Sequence, residues 1–167
     1  MRPAIDSSFH YVGMGEVRVG TRNDVLRATL GSCIGIGLLW PQRGRCALAH
    51  CLLPESPAPM IRIGARYVSQ AVPSLLLLLG LKPADYPDVK IILAGGARMF
   101  RTRLGVAHVG GLNIQAALHC LAQQGLKIGH TELGGRRGRQ ITIDCARQSF
   151  AITEIERQPE EMLDAIS

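Results

Sequence analysis

The sequence predicts an α+β fold in which strands outnumber helices. Short apolar runs bounded by glycine and proline turns recur along the chain, whereas only two segments have the length and spacing of helices. Strands and helices do not alternate, which disfavours a doubly wound parallel sheet. With 167 residues, of which 47% are apolar and 19% charged, the chain can bury one core and is not disordered.

The strands are placed where apolar runs end at turn residues. We expect residues 1–12 to form a poorly ordered lead-in, residues 13–156 a single domain and residues 157–167 a polar tail. The predicted strands, in chain order, are Glu16–Val19, Val25–Leu30, Ile34–Trp40, Cys46–Leu53, Val89–Leu93, Lys127–Leu133, Gln140–Cys145 and Ser149–Ile155.

Two helices are predicted between these strands. Apolar residues at helical spacing mark Ile63–Leu79, in which Pro73 predicts a kink because proline cannot donate to the helical ladder. The second helix, Asn113–Gln123, follows the pair Gly110-Gly111 and ends before Gly125.

Composition narrows the classes of function. The apolar stretch 68–81 contains polar residues, a proline and a glycine, and it is shorter than the ~20 apolar residues that span a bilayer. The N-terminus lacks the apolar run of a secretory signal, so we expect a soluble protein of the cytoplasm. The net charge of +6 would attract nucleic acid, an anionic membrane or an acidic protein. Three phenylalanines, three tyrosines and one tryptophan are too few for a base-stacking surface.

Five cysteines are an odd number, and a disulfide framework is disfavoured in a chain without a secretory signal. No pair has the CxxC spacing of a zinc knuckle. Cys46, His50 and Cys51 would form a strained metal site, because Cys51 points to the sheet face opposite His50. We therefore expect neither a metal nor a cofactor, and at least one thiol could be present for its reactivity.

Cys33 and His50 are predicted to lie on one face of a β-hairpin. If a four-residue loop follows Trp40, then His50 lies opposite Gly35 and Cys33 lies opposite Leu52. A loop shorter by two residues would place Cys33 directly opposite His50. Side chains two residues apart on a strand share a face, so the thiol and the imidazole come within reach of each other on a diagonal.

A thiol beside an imidazole is the minimal activated nucleophile, since the imidazole can take the thiol proton. Gly35 and Gly37 are expected to leave the sheet open to a ligand near the imidazole. The alternative is that Cys33 is a small buried hydrophobic residue and His50 a core histidine, and the pattern alone leaves both interpretations open.

Six motifs along the chain match one known family in their order and separation. They are GMGE (13–16), LGSC (30–33), AHCLLP (49–54), AGGARMF (94–100), Gly110 with Asn113, and GGRRGR (134–139). Over residues 13–155 the sequence therefore resembles the CheD family, the chemoreceptor glutamine deamidases of bacterial chemotaxis.

The resemblance implies a layered β/β/α sandwich with mixed sheets and two main helices, similar to the deamidating cytotoxic-necrotizing-factor-type cysteine hydrolases. It also implies that the cysteine attacks the side-chain amide of a receptor glutamine, that ammonia leaves, and that water hydrolyses the thioester to glutamate. Some members are thought to hydrolyse glutamyl methyl esters as well. By position, Cys33 would be the nucleophile and His50 the general acid and base.

The resemblance also implies oxyanion and orienting groups. Substrate-binding or oxyanion residues are expected at the two small-residue turns, namely Gly31, Ser32, Gly95 and Gly96. The family is described with a threonine on the strand of the cysteine, orienting the histidine. Arg27 stands at that place, and Thr29, on the same strand face, is the residue that could serve instead.

The implied partners are the cytoplasmic helices of methyl-accepting chemotaxis receptors and, for some members, a response-regulator phosphatase. We expect the protein to be associated with receptor arrays, without membrane insertion or nucleic acid. The alternative is a chemotaxis protein-binding module that docks on receptors or a phosphatase with weak or no catalysis, and ammonia release would distinguish the two. The arginines of 136–139 are either a solvated loop or a contact with acidic receptor helices.

Overall fold

The computed structural model describes residues 8–59, 62–99 and 108–156. These ranges contain nine strands and two α-helices, with short 3-10 turns at Pro41–Arg43 and Pro83–Asp88. The elements are β1 (Phe9–Tyr11), β2 (Val17–Thr21), β3 (Val25–Leu30), β4 (Ile34–Trp40), β5 (Arg45–Cys51), α1 (Val68–Leu79), β6 (Lys90–Gly95), α2 (Val109–Gln123), β7 (Ile128–Leu133), β8 (Arg139–Asp144) and β9 (Ser149–Glu154).

The strands form two mixed sheets. The first sheet has the order β1-β3-β8-β9, in which β1 and β3 are parallel. The second has the order β2-β5-β4-β6-β7, in which β6 and β7 are parallel. All other pairs are antiparallel. The predicted α+β fold with mixed sheets and two main helices is confirmed.

The second sheet is the middle layer of three. One face packs against α1 and α2 through a core that includes Ile36, Leu38 and Leu75. The other face packs against the first sheet through a second core that includes Leu26 and Ile143. Strands β4 and β5 are therefore covered on both faces, which explains why every residue of the two strands except Arg45 is buried. No helix of the described residues is long and apolar enough to cross a bilayer.

Gly35 and Gly37 do not open the sheet to a ligand, as the sequence had suggested. A Cβ atom at Gly35 would lie 2.8 Å from Leu30 Cδ1, and one at Gly37 would lie 2.9 Å from Ile143 Cδ1. The first sheet fills the space above both glycines. Their small size allows the two sheets to approach closely, and this is the physical reason for the correction.

Several boundaries differ from the prediction. The expected lead-in contains a strand, β1, which pairs in parallel with β3. Helix α1 begins at Val68 rather than Ile63, and Pro73 lies inside it. Helix α2 begins at Val109, because the Nδ1 atom of His108 accepts a hydrogen bond from the Gly111 N–H at 3.0 Å and caps the helix. The predicted tail over 157–167 and the first seven residues lie outside the described residues.

The close approach of the two sheets predicts the effect of a single added methyl group. Gly37→Ala should lower the free energy of unfolding by about 1–3 kcal/mol, because Ile143 and its neighbours must move to admit a Cβ. Gly13→Ala is the control, since its Cβ meets only the Glu16 carboxyl group at ordinary contact distance. Denaturant unfolding measures both, and an unchanged or raised stability of Gly37→Ala would contradict the packing described here.

Candidate active site

Cys33 ends the connection through which the chain passes from one sheet to the other. This connection, residues 31–33, joins β3 of the first sheet to β4 of the second. The Gly31 carbonyl accepts from the Ala97 N–H at 3.0 Å, and the Cys33 carbonyl accepts from the Gly96 N–H at 2.8 Å. The Ser32 carbonyl accepts from Nδ2 of Asn113 at 3.0 Å. The backbone beside the thiol is therefore held at every carbonyl.

The glycine pair at the end of β6 makes this contact possible. Gly95 has a φ of +105°, and a Cβ atom there would lie 2.2 Å from the Cys33 carbonyl oxygen. The Gly96 N–H already donates to that oxygen, so Gly96 does not offer the free oxyanion donor that the sequence suggested. The Gly95 carbonyl accepts from the Gly134 N–H at 2.9 Å. Gly95 and Gly96 thus support the backbone of Cys33.

The backbone N–H groups of Ser32 and Cys33 have no partner on another residue within the part of the chain that the structure describes. In a trans peptide the N–H points away from the carbonyl that precedes it, and no cis peptide bond occurs among the described residues. These N–H groups therefore point away from the anchored carbonyls of Gly31 and Ser32. The expected oxyanion donors are reduced to Ser32 and Cys33, while Gly31 contributes its carbonyl to the support of the turn.

The predicted hairpin register places the imidazole on the side of the thiol. His50 lies opposite Gly35, as predicted, and Cys51 lies opposite Ile34. Cys33 packs in the core between the two sheets, whereas Cys51 packs in the core beneath the helices. His50, one residue before Cys51 on β5, therefore faces the same side as Cys33.

The surroundings of His50 determine its tautomer. Its Nδ1 atom lies 2.9 Å from the carbonyl oxygen of Val12. Because a carbonyl can only accept, Nδ1 must carry the proton, and Nε2 keeps its lone pair. Nε2 is buried and makes no hydrogen bond with any described residue. Burial lowers the pKa of His50, and the hydrogen bond to Val12 and the Glu16 carboxylate offset this only in part. The imidazole is therefore a neutral base at neutral pH.

The group that orients the His50 ring is the backbone carbonyl of Val12 and not the hydroxyl of Thr29, which corrects the role expected of Thr29. Thr29 is exposed on the outer face of the first sheet, and its strand neighbours Ala28 and Leu30 face the core. Arg27 shares that outer face, where its Nε atom donates to Thr142 Oγ1 at 3.0 Å. Neither side chain can reach His50, because β3 presents only every second residue to the second sheet.

Arg27 contributes through its backbone instead. Its carbonyl accepts from the Val12 N–H at 2.8 Å. This bond continues the parallel pairing of β1 with β3, in which Tyr11 lies opposite Arg27. The short strand β1 thereby fixes the carbonyl that orients His50.

The thiol of Cys33 is also neutral at rest. Burial raises its pKa, and the neighbouring N–H of its own backbone offsets this only in part. Cys33 and His50 are only 6% and 4% exposed, so desolvation acts on both groups. The same cause thus favours the neutral form of each, and the two do not form a thiolate–imidazolium pair in the resting structure.

Three contacts at the site were not predicted from the sequence. The Val12 carbonyl carries no side-chain signal. Asn113 was recognised as a motif residue, but its hydrogen bonds to the carbonyls of Ser32 and Leu52 were not predicted. Arg139 is buried and donates to the carbonyls of Gly95 and Gly134 at 3.3 and 2.8 Å, so it supports the site and is not part of a solvated loop. Within the described residues no three His, Cys, Asp or Glu side chains are placed to hold a metal.

The fold and the site define a layered α+β protein with a buried thiol and a neutral imidazole on one face of its central sheet. Cys–His hydrolases use the same two side chains. A family model described as "CheD chemotactic sensory transduction" matches residues 52–154, beginning two residues after His50. The chain belongs to the CheD family, as the motifs had indicated.

Similar proteins extend the match over the site. The chain is 33% identical over 172 residues to "Probable chemoreceptor glutamine deamidase CheD 2" of Ruegeria sp. (strain TM1040), covering 92% of this chain and 96% of the relative. It is 37% identical over 136 residues to "Probable chemoreceptor glutamine deamidase CheD" of Bdellovibrio bacteriovorus, covering 80% and 87%. An aligned span of 92% must include Cys33 and His50, whichever end of the chain it omits.

The environment of His50 predicts its titration. In the folded protein the ring should be the Nδ1–H tautomer with a pKa below the ordinary 6.5. Nitrogen-15 NMR of the labelled imidazole measures both properties. In the unfolded chain the pKa of His50 is ~6.5, so below this pH His50 binds a proton in the unfolded state but not in the folded state. The free energy of unfolding should therefore fall as the pH drops below that value. An Nε2–H tautomer would contradict the assignment.

Proposed function

We propose that this protein hydrolyses glutamine side chains of chemoreceptors to glutamate, with Cys33 as nucleophile and His50 as general acid and base. The observation that carries the proposal is the state of His50, whose Nδ1 atom donates to the Val12 carbonyl and whose Nε2 atom, on the side of the thiol, has no partner among the described residues. The substrate is taken from the names of the relatives, which are described as chemoreceptor glutamine deamidases.

The reaction begins with proton transfer from the Cys33 thiol to Nε2 as the sulfur attacks the carboxamide carbon. The thiol does not hydrogen-bond to Nε2 at rest, which is common for catalytic pairs that tighten when substrate binds. The negative charge that forms on the amide oxygen is stabilised by the backbone N–H groups of Ser32 and Cys33. His50 returns the proton to the nitrogen, ammonia leaves, and an acyl-thioester remains.

Water completes the cycle. Nε2, again neutral, takes a proton from the attacking water, the C–S bond breaks, and glutamate and the free thiol are released. A glutamyl methyl ester would give the same thioester with methanol as the leaving group, and we include this reaction in the proposal.

Burial of the pair favours a slender substrate. Cys33 and His50 are nearly covered by protein, so the reacting group must enter at the end of a narrow side chain. A glutamine carboxamide on two methylene groups has this shape, and a peptide backbone amide does not. We also propose, on the family resemblance alone, that the cytoplasmic helices of methyl-accepting receptors present this glutamine and that a response-regulator phosphatase can be a partner.

Removal of the nucleophile tests the proposed reaction. Cys33→Ala should abolish the conversion of receptor glutamines to glutamate while leaving the fold intact, because a small side chain replaces a small thiol. Cys120→Ala, which removes a buried thiol from the helical layer, is the matched control and should retain turnover. Mass spectrometry of a receptor cytoplasmic fragment, together with an ammonia assay, measures both variants. Turnover by Cys33→Ala would exclude the nucleophile, and receptor binding without ammonia release by the wild type would favour a binding module.

The position of Thr29 on the exposed face of β3 predicts that its substitution has little effect on catalysis. Thr29→Ala should leave the deamidation rate within about twofold of the wild type, because exposed substitutions away from a site have small effects and the Val12 carbonyl already holds Nδ1. The measurement is the initial rate at saturating and at low substrate concentrations. A loss of tenfold or more, recovered in Thr29→Ser, would restore the threonine hydroxyl as the orienting group.

A further inference from the structure

One side chain connects the turn of the thiol to the strand of the imidazole. Asn113, in the first half of α2, is fully buried. Its Nδ2 atom donates to the Ser32 carbonyl at 3.0 Å and to the Leu52 carbonyl at 3.1 Å. Ser32 directly precedes Cys33, and Leu52 lies two residues beyond His50. The amide therefore ties together the two chain segments that supply the candidate catalytic groups.

The direction of the Asn113 amide follows from its partners. Both partners are carbonyl oxygens, which can only accept, so both N–H bonds of Nδ2 must point at them. Its Oδ1 atom is buried and makes no hydrogen bond with any described residue. A side chain without the amide donors would leave two carbonyls unpaired, and an aspartate would oppose them with negative charge.

The bond to Ser32 also determines where the Cys33 N–H points. The carbonyl of Ser32 and the N–H of Cys33 belong to one planar trans peptide and point in opposite directions. Asn113 draws the carbonyl towards α2, so the N–H is directed away from α2. That N–H donates to no described residue and is one of the two groups available to an oxyanion.

We infer that Asn113 is a positioning residue, which aims the Cys33 N–H at the oxyanion. The inference rests on the proposed amide hydrolysis. The backbone N–H cannot be removed by substitution, so Asn113 is the side chain through which its contribution can be changed.

Gln70 offers a matched control. It is a buried amide on the other helix, α1, whose Nε2 atom donates to the Arg62 carbonyl at 3.1 Å and whose Oε1 atom has no partner among the described residues. Like Asn113, Gln70 is thus a buried helical amide that donates to a backbone carbonyl, but it does not contact the turn of Cys33. Gln70→Ala measures what the loss of a buried helical amide does to stability alone.

The first experiment compares turnover with alkylation. Asn113→Ala should lower kcat for a receptor fragment by about 10- to 100-fold with little change in KM, because a misdirected donor weakens stabilisation of the transition state. Alkylation of Cys33 by iodoacetamide forms an S–C bond with loss of iodide and creates no oxyanion. Its rate should therefore change by less than about threefold. Gln70→Ala should retain wild-type kcat.

The second experiment does not depend on activity. In protein labelled with nitrogen-15 at cysteine, Asn113→Ala should broaden or split the Cys33 amide signal, because the Ser32–Cys33 peptide is no longer held. Gln70→Ala should leave that signal single and sharp. Asn113→Ser, which keeps one donor in a smaller side chain, should give an intermediate kcat, and it replaces Asn113→Ala if the alanine variant does not fold.

The outcomes separate the two proposals. A wild-type protein without deamidase activity overturns the proposed function, and the Cys33 amide signal then decides whether Asn113 holds the peptide. An active wild type with unchanged kcat in Asn113→Ala overturns the inference alone. Equal losses in kcat and alkylation rate, or an unchanged Cys33 amide signal, would likewise reduce Asn113 to a structural residue.

Discussion

The site depends on how the three carbonyls of residues 31–33 are held. The chain passes from one sheet to the other within these residues, of which Cys33 is buried and Gly31 and Ser32 are half-buried. An unpaired buried carbonyl costs about 1–3 kcal/mol, so a donor to each carbonyl stabilises this connection. All three donors come from the end of β6 or the start of α2, and Asn113 lies 81 residues from Ser32 in the sequence. Local sequence places the thiol at a turn, but distant segments fix its backbone.

The imidazole is held by the same kind of constraint. Its orienting carbonyl belongs to Val12, which follows the three-residue strand β1. That strand pairs in parallel with β3, whose last residue leads into the turn of Cys33. The two candidate catalytic groups therefore depend on one strand, β3, although both of them face the core from the second sheet. Displacement of β3 would disturb the thiol and the base together.

The sequence predicted the relations that strand geometry alone determines. Loop length fixed the register that sets His50 opposite Gly35, and the two-residue period placed Cys51 on the other face. Strand geometry does not show what covers a sheet face. The sequence therefore predicted a ligand beside Gly35, whereas the structure places Leu30 there. The orienting group was sought among hydroxyl side chains such as Thr29, because a backbone carbonyl leaves no mark in the sequence. Motif order identified the family, since it needs no knowledge of contacts.

Burial gives the proposed pair a reactivity that depends on substrate. Desolvation raises the pKa of Cys33 and lowers that of His50, so transfer of the proton between them is unfavourable while the site is empty. In the proposed mechanism the transfer becomes favourable when the new negative charge passes to a substrate oxygen, which the N–H groups of the turn would stabilise. A thiol kept neutral in this way reacts slowly with oxidants and with adventitious electrophiles, since both react with the thiolate. If the proposed mechanism holds, the protein gains selectivity because no thiolate is present at rest, and the fixed backbone of residues 31–33 provides the stabilisation that the resting pair lacks.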